Sequence, residues 1–380
     1  MTAPLRRLFP ALALCAAACA DRNRVPEIRV GVLASLTGTR VEVSGIGTRE
    51  GAEFAARALN DSGGVDIAGT RYRLVPVLVD IGENTDQATS AAQQLINSPD
   101  ITAIIGPQYS RNAIPVANLA ENAGVPMITP MATHPDVTAH KRWVFRICAL
   151  DEVQSRALAQ YAVDSLHART AAVLFDISAA YSRDLASGFE RDLVARGGVM
   201  LARETYTADA AHTFVSQLQR IRATHPDVVF LPNEVVEDTI QLREARQLGL
   251  AMPMLGTDLS TADMARKEPA SEGMYLTHQW SPLLTTPVSQ RFTTSFRAAY
   301  HHEPLSTTAT TYDAVMLIAD ALHRAGKSDA ESLRSALAAT RAFPGITGVI
   351  SYEKGGDPVK NVVVLQILHR QVVVRGSLGR

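Results

Sequence analysis

From Glu27 onward the chain alternates between short apolar runs and amphipathic helical segments, and this alternation constrains the fold more than any other feature of the sequence. Three continuous apolar runs have the length of strands: "IRVGVLASL", "YRLVPVLVD" and "ITAIIGP". Between them lie "REGAEFAARALNDSGG" and "TDQATSAAQQLINS", whose apolar residues recur at helical spacing. Continuous apolar strands separated by helices are typical of a parallel sheet that helices cover on both faces.

The same alternation restarts after "RWVFRICALDEVQ" with the predicted strands "TAAVLFD", "VMLARETY", "DVVFLPN" and "MPMLGTD". After "GMYLTHQWSP" the chain turns helical again and ends in two predicted strands, "GVISYEKGGD" and "VVVLQILHRQVVVRG". We interpret these last elements as additions to two existing lobes. The sequence therefore predicts an α/β fold with two doubly wound parallel-sheet lobes joined by a hinge that the chain crosses several times. The predicted boundaries are 25–149 plus 281–352 for lobe 1, 150–280 plus 353–380 for lobe 2, and crossings near 149–152, 279–283 and 352–359.

The first residues, "MTAPLRRLFPALALCAAACADRN", differ in kind from the rest. Two arginines precede an apolar run that is too short to span a bilayer, and small residues follow it. This layout predicts a signal peptide over residues 1–18 and an exported protein, in the periplasm or on the outer face of the cytoplasmic membrane. "AAAC" resembles a bacterial lipobox, which makes Cys19 the expected lipidated residue. The alternative is ordinary cleavage in "AAACA", which releases a free protein.

Composition and motifs argue against several classes of function. The net charge is −1 with no basic run, which gives nucleic-acid binding no electrostatic support. Beyond the signal region only Cys148 remains, so we expect neither an internal disulfide nor a structural zinc site, and no cofactor. Gly45, Gly47 and Gly51 in "SGIGTREGAE" come close to a dinucleotide fingerprint, but the last spacing is one residue too long. Without a GxSxG or GxxxxGK[ST] motif, we expect a protein that is not an enzyme.

The segment "GPQYSRNAIPVANLAENAGVPMITPMATHPD" contains two strand-to-helix turns, each with hydroxyl side chains. Tyr109 and Ser110 follow one predicted strand, and Thr133 follows the next. Each residue alone is compatible with simple helix capping. Ligands of α/β sheets gather at the carboxyl ends of strands beside helix N-termini, where free N–H groups favour anions. Ser110 and Thr133 together therefore predict an anion site, to which Met131 and Ala132 supply nearby carbonyl and N–H groups.

Asp258, in "MLGTD", ends a predicted strand of the second lobe. A carboxylate at that position faces the cleft between the lobes and is suited to a cation. An anion site in one lobe and a carboxylate in the other indicate a receptor for a zwitterion.

Several stretches in the same order resemble one family, the branched-chain amino-acid-binding family of periplasmic (type I) substrate-binding proteins of ABC transporters. The matching stretches include "IRVGVLASLTG", "SGIGTREGAEFAARALNDSGGV", "IIGPQYSRNAIPVANLAENAGVPMITPMATHPDVT", "YSRDLASGFERDL", "TTYDAVMLIADAL" and "FPGITGVISYEKGGDPVKNVVVLQI". The resemblance extends from Glu27 to the C-terminus. It implies two lobes that close on a ligand like a Venus flytrap.

The resemblance also implies roles for individual residues. Ser110 and Thr133 match the residues that hold the ligand carboxylate, whereas Met131 and Asp258 match those that hold the ammonium group. Tyr181 matches an aromatic residue that closes over the ligand. Where relatives that bind aliphatic amino acids place aromatic side chains, this chain has other residues, which predict a roomier and more polar pocket than one for leucine: Ser44, Glu234 and Thr307. For Glu234 an ordinary surface carboxylate is the alternative.

The resulting prediction is a solute-binding protein that delivers an amino acid or amino-acid-like molecule to an ABC permease. We expect a monomer that binds no nucleic acid and touches the membrane only through a lipid anchor. One rival is a sensory receptor of the same fold, for an amide, an aromatic acid or another small solute, that controls a partner protein. The other is an exported enzyme on a doubly wound scaffold.

Overall fold

The computed structural model describes residues 25–38, 40–207, 213–258 and 262–379. The predicted signal segment and Cys19 lie outside the described residues. Within the described ranges, no helix has both the length and the hydropathy needed to cross a membrane.

The first sheet is built from strands of the N-terminal part of the chain. They are β1 (Glu27–Ala34), β2 (Val65–Ile67), β3 (Thr70–Asp80), β4 (Ile101–Ile105), β5 (Met127–Thr129) and β6 (Val144–Arg146). Their order in the sheet is β2-β3-β1-β4-β5-β6. All neighbours pair in parallel except β2 with β3, which form an antiparallel pair. We call the part of the molecule built on this sheet lobe 1.

The second sheet defines lobe 2. Its strands are β7 (Thr170–Asp176), β8 (Val199–Tyr206), β9 (Val228–Phe230), β10 (Met254–Gly256), β11 (Tyr275–His278), β14 (Val362–Leu368) and β15 (Gln371–Leu378). The order is β15-β14-β11-β10-β9-β7-β8, with β14 and β15 antiparallel at one edge. A separate two-stranded ribbon pairs β12 (Phe343–Gly345) with β13 (Gly348–Ile350). The predicted α/β fold with two mainly parallel sheets is confirmed.

Helices cover both sheets. Those between the strands of lobe 1 are α1 (Ile46–Asp61), α2 (Thr85–Ile96) and α3 (Ser110–Ala123). Those of lobe 2 are α4 (Asp151–Asp164), α5 (Ala180–Ala195), α6 (Val215–Thr224), α7 (Val235–Gln247) and α8 (Ala262–Lys267). Three more follow β11: α9 (Pro287–Tyr300), α10 (Ser306–Ala325) and α11 (Ala330–Ala338). Leu317 and Ile318 of α10 share a buried core with Val30 and Val32 of β1, so α10 belongs with lobe 1.

The chain passes between the two sheets three times: after β6, after β11 and after β13. These passages form the multiply crossed hinge of the predicted fold. The domain boundaries given above stay a prediction at the level of single residues. A hinge made of three chain segments restricts the lobes to opening and closing about it.

The structure corrects two predicted strands at the C-terminus. "VVVLQILHRQVVVRG" is a hairpin, because the chain reverses at His369 and Arg370, whose φ angles are 51° and 60°. Positive φ at both central residues is the geometry of a tight two-residue hairpin turn. In "GVISYEKGGD" only Gly348–Ile350 forms a strand. In both stretches the pattern of apolar residues predicts extended backbone, but it does not show where the chain turns.

The glycines of "SGIGTREGAE" lie at the start of α1, where they allow close helix packing. A Cβ atom on Gly47 would lie 2.2 Å from the Thr307 hydroxyl oxygen, and one on Gly51 would lie 2.4 Å from the Thr308 main-chain oxygen. Both neighbours belong to α10. Close packing of α1 on α10 explains this near-match to a dinucleotide fingerprint.

Candidate functional site

Ser110 and Thr133 lie side by side at the carboxyl edge of the lobe 1 sheet. Tyr109 is the N-cap residue of α3 and makes no capping hydrogen bond through its side chain, and Ser110 is the first residue of the helix. The Ser110 hydroxyl oxygen accepts a hydrogen bond from the main-chain N–H of His134, at 3.2 Å, across to the next turn. This contact joins the turn after β4 to the turn after β5. Helix capping therefore does not explain Ser110, and the two predicted residues of the anion site are brought together.

Arg146 holds the loop that carries Met131 and Thr133. Its side chain is fully buried, and its guanidinium donates to the main-chain oxygens of Ala132 and His134 at 2.8 and 2.9 Å. Its Nε lies 2.6 Å from the carboxylate of Asp357, which is on the third passage between the lobes. The site loop is thus fixed by a charged group at the hinge.

In the same loop, the main-chain groups of Met131 and Ala132 differ in their hydrogen bonding. The Ala132 oxygen accepts hydrogen bonds from Arg146 and Cys148, and its N–H donates to Thr129. Both main-chain groups of Ala132 are therefore already engaged within lobe 1, contrary to the prediction that they are available to a ligand. The Met131 oxygen accepts no hydrogen bond from the described residues.

In lobe 2 the predicted residues Tyr181 and Asp258 contact each other. Tyr181, near the start of α5, donates its phenolic hydrogen to the Asp258 carboxylate at 2.9 Å. Burial first, and the charges of Asp258 and Asp151 next, hold the pKa of Tyr181 well above its ordinary value, so the phenol remains a donor. Gln279 donates to the other Asp258 oxygen at 3.2 Å and also bonds the main chain of Ala149, which ties the site to two passages of the hinge.

Asp151 is a site residue that the sequence reasoning missed. It begins α4 directly after the first passage between the lobes, and only 3% of the residue is exposed. Burial, reinforced by the negative charge of Asp258, raises the pKa of Asp151 to about 7, and the Thr133 hydroxyl lowers it in part. The Oδ2 atom is buried without a hydrogen bond of normal geometry from the described residues. The Asp151 carboxyl group of lobe 2 is thus influenced both by the Asp258 carboxylate of its own lobe and by the Thr133 hydroxyl of lobe 1.

Asp151 gave little signal in the sequence because an acidic residue in the first turn of a helix is common and stabilises the helix dipole. What distinguishes Asp151 is its burial beside a second carboxyl group. Only the three-dimensional structure shows that.

Ser44 and Thr307 belong to a polar wall of lobe 1. Both are buried, Ser44 in the short helical turn before α1 and Thr307 near the start of α10. Ser44 accepts from Thr48 through its main-chain oxygen, and the Gln108 amide in turn donates to the hydroxyls of Thr48 and Thr311. The Oε1 of Gln108 and the hydroxyl oxygen of Thr307 have no hydrogen-bond partner among the described residues.

Arg40 of lobe 1 and Glu234 of lobe 2 interact electrostatically. The Arg40 guanidinium lies 4.1 Å from the centre of the Tyr109 ring. Glu234 precedes α7 and makes no capping hydrogen bond to it. Its side chain reaches solvent. Partial loss of hydration nevertheless raises the pKa of Glu234, while the charges of Arg40 and Arg111 act in the opposite direction. The Glu234 carboxylate is accessible, and two arginines of lobe 1 act on it electrostatically. We therefore place Glu234 in the cleft between the lobes.

Comparison with known proteins agrees with this architecture. The family described as "Periplasmic binding protein" matches residues 27–371. The Leu/Ile/Val-binding protein BraC3 of Rhizobium johnstonii is 28% identical over 335 residues, which cover 87% of this chain and 89% of the relative. A leucine-, isoleucine-, valine-, threonine- and alanine-binding protein of Pseudomonas aeruginosa is 26% identical over 94% of this chain and 93% of its own length.

Among solved structures, a leucine-binding protein of Thermotoga maritima superimposes with a TM-score of 0.81 at 29% identity, covering 93% of this chain and 99% of the other. The match of fold, length and family profile over almost the whole chain confirms the resemblance drawn from the sequence. The chain belongs to the branched-chain amino-acid-binding family of periplasmic binding proteins.

Proposed function

We propose that this protein binds an amino acid in the cleft between its two lobes and delivers it to the permease of an ABC importer. The relatives described above are named for binding leucine, isoleucine, valine, threonine or alanine. Their family consists of substrate-binding proteins, not enzymes. The arrangement of polar groups in this cleft supports the same role.

In this proposal lobe 1 binds the ligand carboxylate. Ser110 and Thr133 supply hydroxyl donors, and the free N–H groups at the start of α3 add the positive end of a helix dipole. The contact between Ser110 and His134 fixes the spacing of the two turns.

Lobe 2 and the Met131 oxygen bind the ammonium group. The observation that carries the proposal is the pair of carboxyl groups, Asp151 and Asp258: Asp151 is buried, and the negative charge of Asp258 adds to burial in raising the pKa of Asp151. Like charges in a buried site are costly unless a cation joins them. A ligand ammonium between the two carboxylates relieves that cost, and Tyr181 and Gln279 hold Asp258 in place to receive it.

Binding on both lobes explains how a ligand closes the cleft. The carboxylate contacts come from lobe 1, whereas the acidic residues come from lobe 2, so only the closed form makes the full set of contacts. Because the ligand has higher affinity for the closed form, it shifts the population toward closure, and a permease can distinguish the loaded protein by its shape.

The direct test is to purify the protein without added ligand, denature it and identify any released small molecule by mass spectrometry. A thermal-shift screen of all twenty amino acids and of matched acids without an amino group would accompany it. We expect a released or stabilising α-amino acid. Stabilisation by acids that lack an amino group, with none by any amino acid, would reject the proposed ligand class.

We further propose that Cys19 carries the lipid that keeps the protein at the membrane. The support is the "AAAC" motif after the apolar run. Wild type and Cys19→Ala should be expressed in a Gram-negative host and compared by detergent phase partitioning. The wild type should enter the detergent phase and the variant the aqueous phase. Recovery of both proteins in the aqueous phase would mean that the protein is released free.

A further inference from the structure

One pair of side chains approaches across the cleft beside the proposed ligand site. His134 follows Thr133 in the site loop of lobe 1, and Asp184 lies in α5 of lobe 2. The His134 Nε2 atom is 3.8 Å from a carboxylate oxygen of Asp184. The Asp184 side chain is 50% exposed, whereas that of His134 is only 21% exposed. The contact therefore joins a mostly buried ring of one lobe to an accessible charge of the other.

Lobe 1 fixes the orientation of the His134 ring. The main-chain N–H of His134 donates to Ser110 at 3.2 Å, and its main-chain oxygen accepts from Arg146 at 2.9 Å. The ring itself accepts a hydrogen bond at Nδ1 from the main-chain N–H of Asp136, at 3.2 Å. A neutral imidazole with an accepting Nδ1 has its hydrogen on Nε2. The ring nitrogen that can donate is therefore the one beside Asp184.

Asp184 lies one helical turn from a residue of the proposed site. Tyr181 precedes it by three positions in α5, so the two side chains lie on the same face of the helix. Tyr181 in turn donates to the Asp258 carboxylate at 2.9 Å. A movement of lobe 2 that brings Tyr181 and Asp258 toward lobe 1 therefore also brings Asp184 toward His134.

The carboxylate of Asp136 does not offer His134 the same interaction. It is equally distant, at 3.8 Å, but it lies beside Nδ1 and belongs to the same lobe. Because Nδ1 already accepts the Asp136 N–H, it has no hydrogen to donate to the Asp136 carboxylate. Of the two contacts, only the one with Asp184 changes when the lobes open, since His134 and Asp136 move together.

We propose that His134 and Asp184 form a latch that holds the two lobes together once the cleft has closed on an amino acid. At 3.8 Å the two atoms are too far apart for a direct hydrogen bond, and a further approach of about 1 Å, or one bridging water, completes it. This inference rests on the proposed function, because it assumes that a bound amino acid closes the cleft. It gives a role to two side chains that the proposed ligand site does not use.

The latch should act on the lifetime of the closed complex. In the open form water hydrates the Asp184 carboxylate and the contact is absent, so the first encounter with an amino acid does not depend on it. Opening must break the contact, which slows dissociation. Because an accessible interaction of this kind is weak, we expect it to change the dissociation rate by about 2- to 5-fold.

The test is stopped-flow measurement of association and dissociation rates with the full chain at pH 8, where Asp151, with a pKa of about 7, is ionised. The probes are L-leucine, L-threonine and L-alanine, and the other standard amino acids if none of these binds. His134→Asn keeps an acceptor for the Asp136 N–H, because asparagine is a good N-cap residue, but its side chain is too short to reach Asp184. Asp184→Asn removes the charge.

We expect each single variant to release the amino acid about 2- to 5-fold faster than wild type, with an association rate changed by less than about 2-fold. The double variant should behave like either single variant, because both substitutions remove the same contact. Asp136→Asn is the matched control, since it removes a carboxylate at the same distance from the His134 ring but within lobe 1. Its rates should equal those of wild type.

The melting temperatures of the ligand-free variants establish that each protein is folded. Dissociation rates that are unchanged in both latch variants, or raised to the same extent by Asp136→Asn, would overturn the latch and leave the proposed function intact. Absence of binding by every amino acid would instead refute the proposed function, and the latch with it.

Discussion

The two walls of the cleft differ in charge and in how their polar groups are supported. The lobe 1 wall has hydroxyls and main-chain groups at its centre, and its site loop is held by Arg146, a residue of the same lobe. The lobe 2 wall has three acidic residues: Asp151, Asp258 and Glu234. Asp258 is held by Tyr181 and by Gln279 of the hinge. Under the proposed function, this difference would let lobe 1 bind the anionic end of a ligand first, with lobe 2 adding its contacts to the cationic end on closure.

Removing the lobe 2 charge should have the largest effect on binding. Asp258→Asn keeps the shape of the side chain but removes its attraction for an ammonium group. Truncating one member of a buried charge pair costs about 2–5 kcal/mol, so amino-acid affinity should fall by about 30-fold to several thousand-fold. Isothermal titration calorimetry measures this, with Asp164→Asn as a control, because the Asp164 side chain is 52% exposed at the end of α4. Equal affinities for wild type and Asp258→Asn would remove Asp258 from the site.

Removing the lobe 1 hydroxyls should have a smaller effect. Ser110→Ala and Thr133→Ala each delete one hydrogen bond to a charged group, worth about 1.5–3 kcal/mol, so affinity should fall by about 10- to 100-fold. The same titrations measure the loss, and circular dichroism checks folding. If neither substitution changes the affinity, the hydroxyls only join the two turns, and the contrast between the walls needs another explanation.

The pH dependence should be the mildest effect and should come from lobe 2 alone. With a pKa of about 7, Asp151 must lose a proton to attract an ammonium group. Affinity should therefore weaken as the pH falls below 7, by no more than about 10-fold per pH unit for a single proton. Asp151→Asn should bind more weakly at pH 8 and lose this dependence. A wild-type affinity that is constant between pH 5.5 and 8 would contradict the assignment.

Folding of the ligand-free protein should depend on pH in the opposite direction. The folded-state pKa of Asp151 is raised from 3.8, so its contribution to stability is fully present below pH 3.8 and is lost as the pH rises to about 7. Asp151→Asn should therefore raise the melting temperature at pH 8 and change it little near pH 4. A lower melting temperature at pH 8 would show that the ionised carboxylate stabilises the fold.

Much of the fold was predictable because parallel strands in α/β proteins are continuous apolar runs, and such runs are readable in the sequence. The hairpin turn at His369 and Arg370 was not, since neither residue is a usual turn former at positive φ. In the candidate site, Ser110, Thr133 and Asp258 were predictable because each lies in the turn that follows a strand. Asp151 was not, because its environment includes Asp258, a residue distant in the sequence.

The central claim is that lobe 1 holds the anionic end of the ligand and lobe 2 holds the cationic end. The most direct test is a double cycle by calorimetry: the best amino-acid ligand and the same acid without its amino group, each titrated into wild type and Asp258→Asn. We predict that the substitution costs the amino acid about 2–5 kcal/mol and costs the acid little, so that the coupling energy is close to the whole loss. Equal losses for both ligands, giving a coupling energy near zero, would contradict the claim.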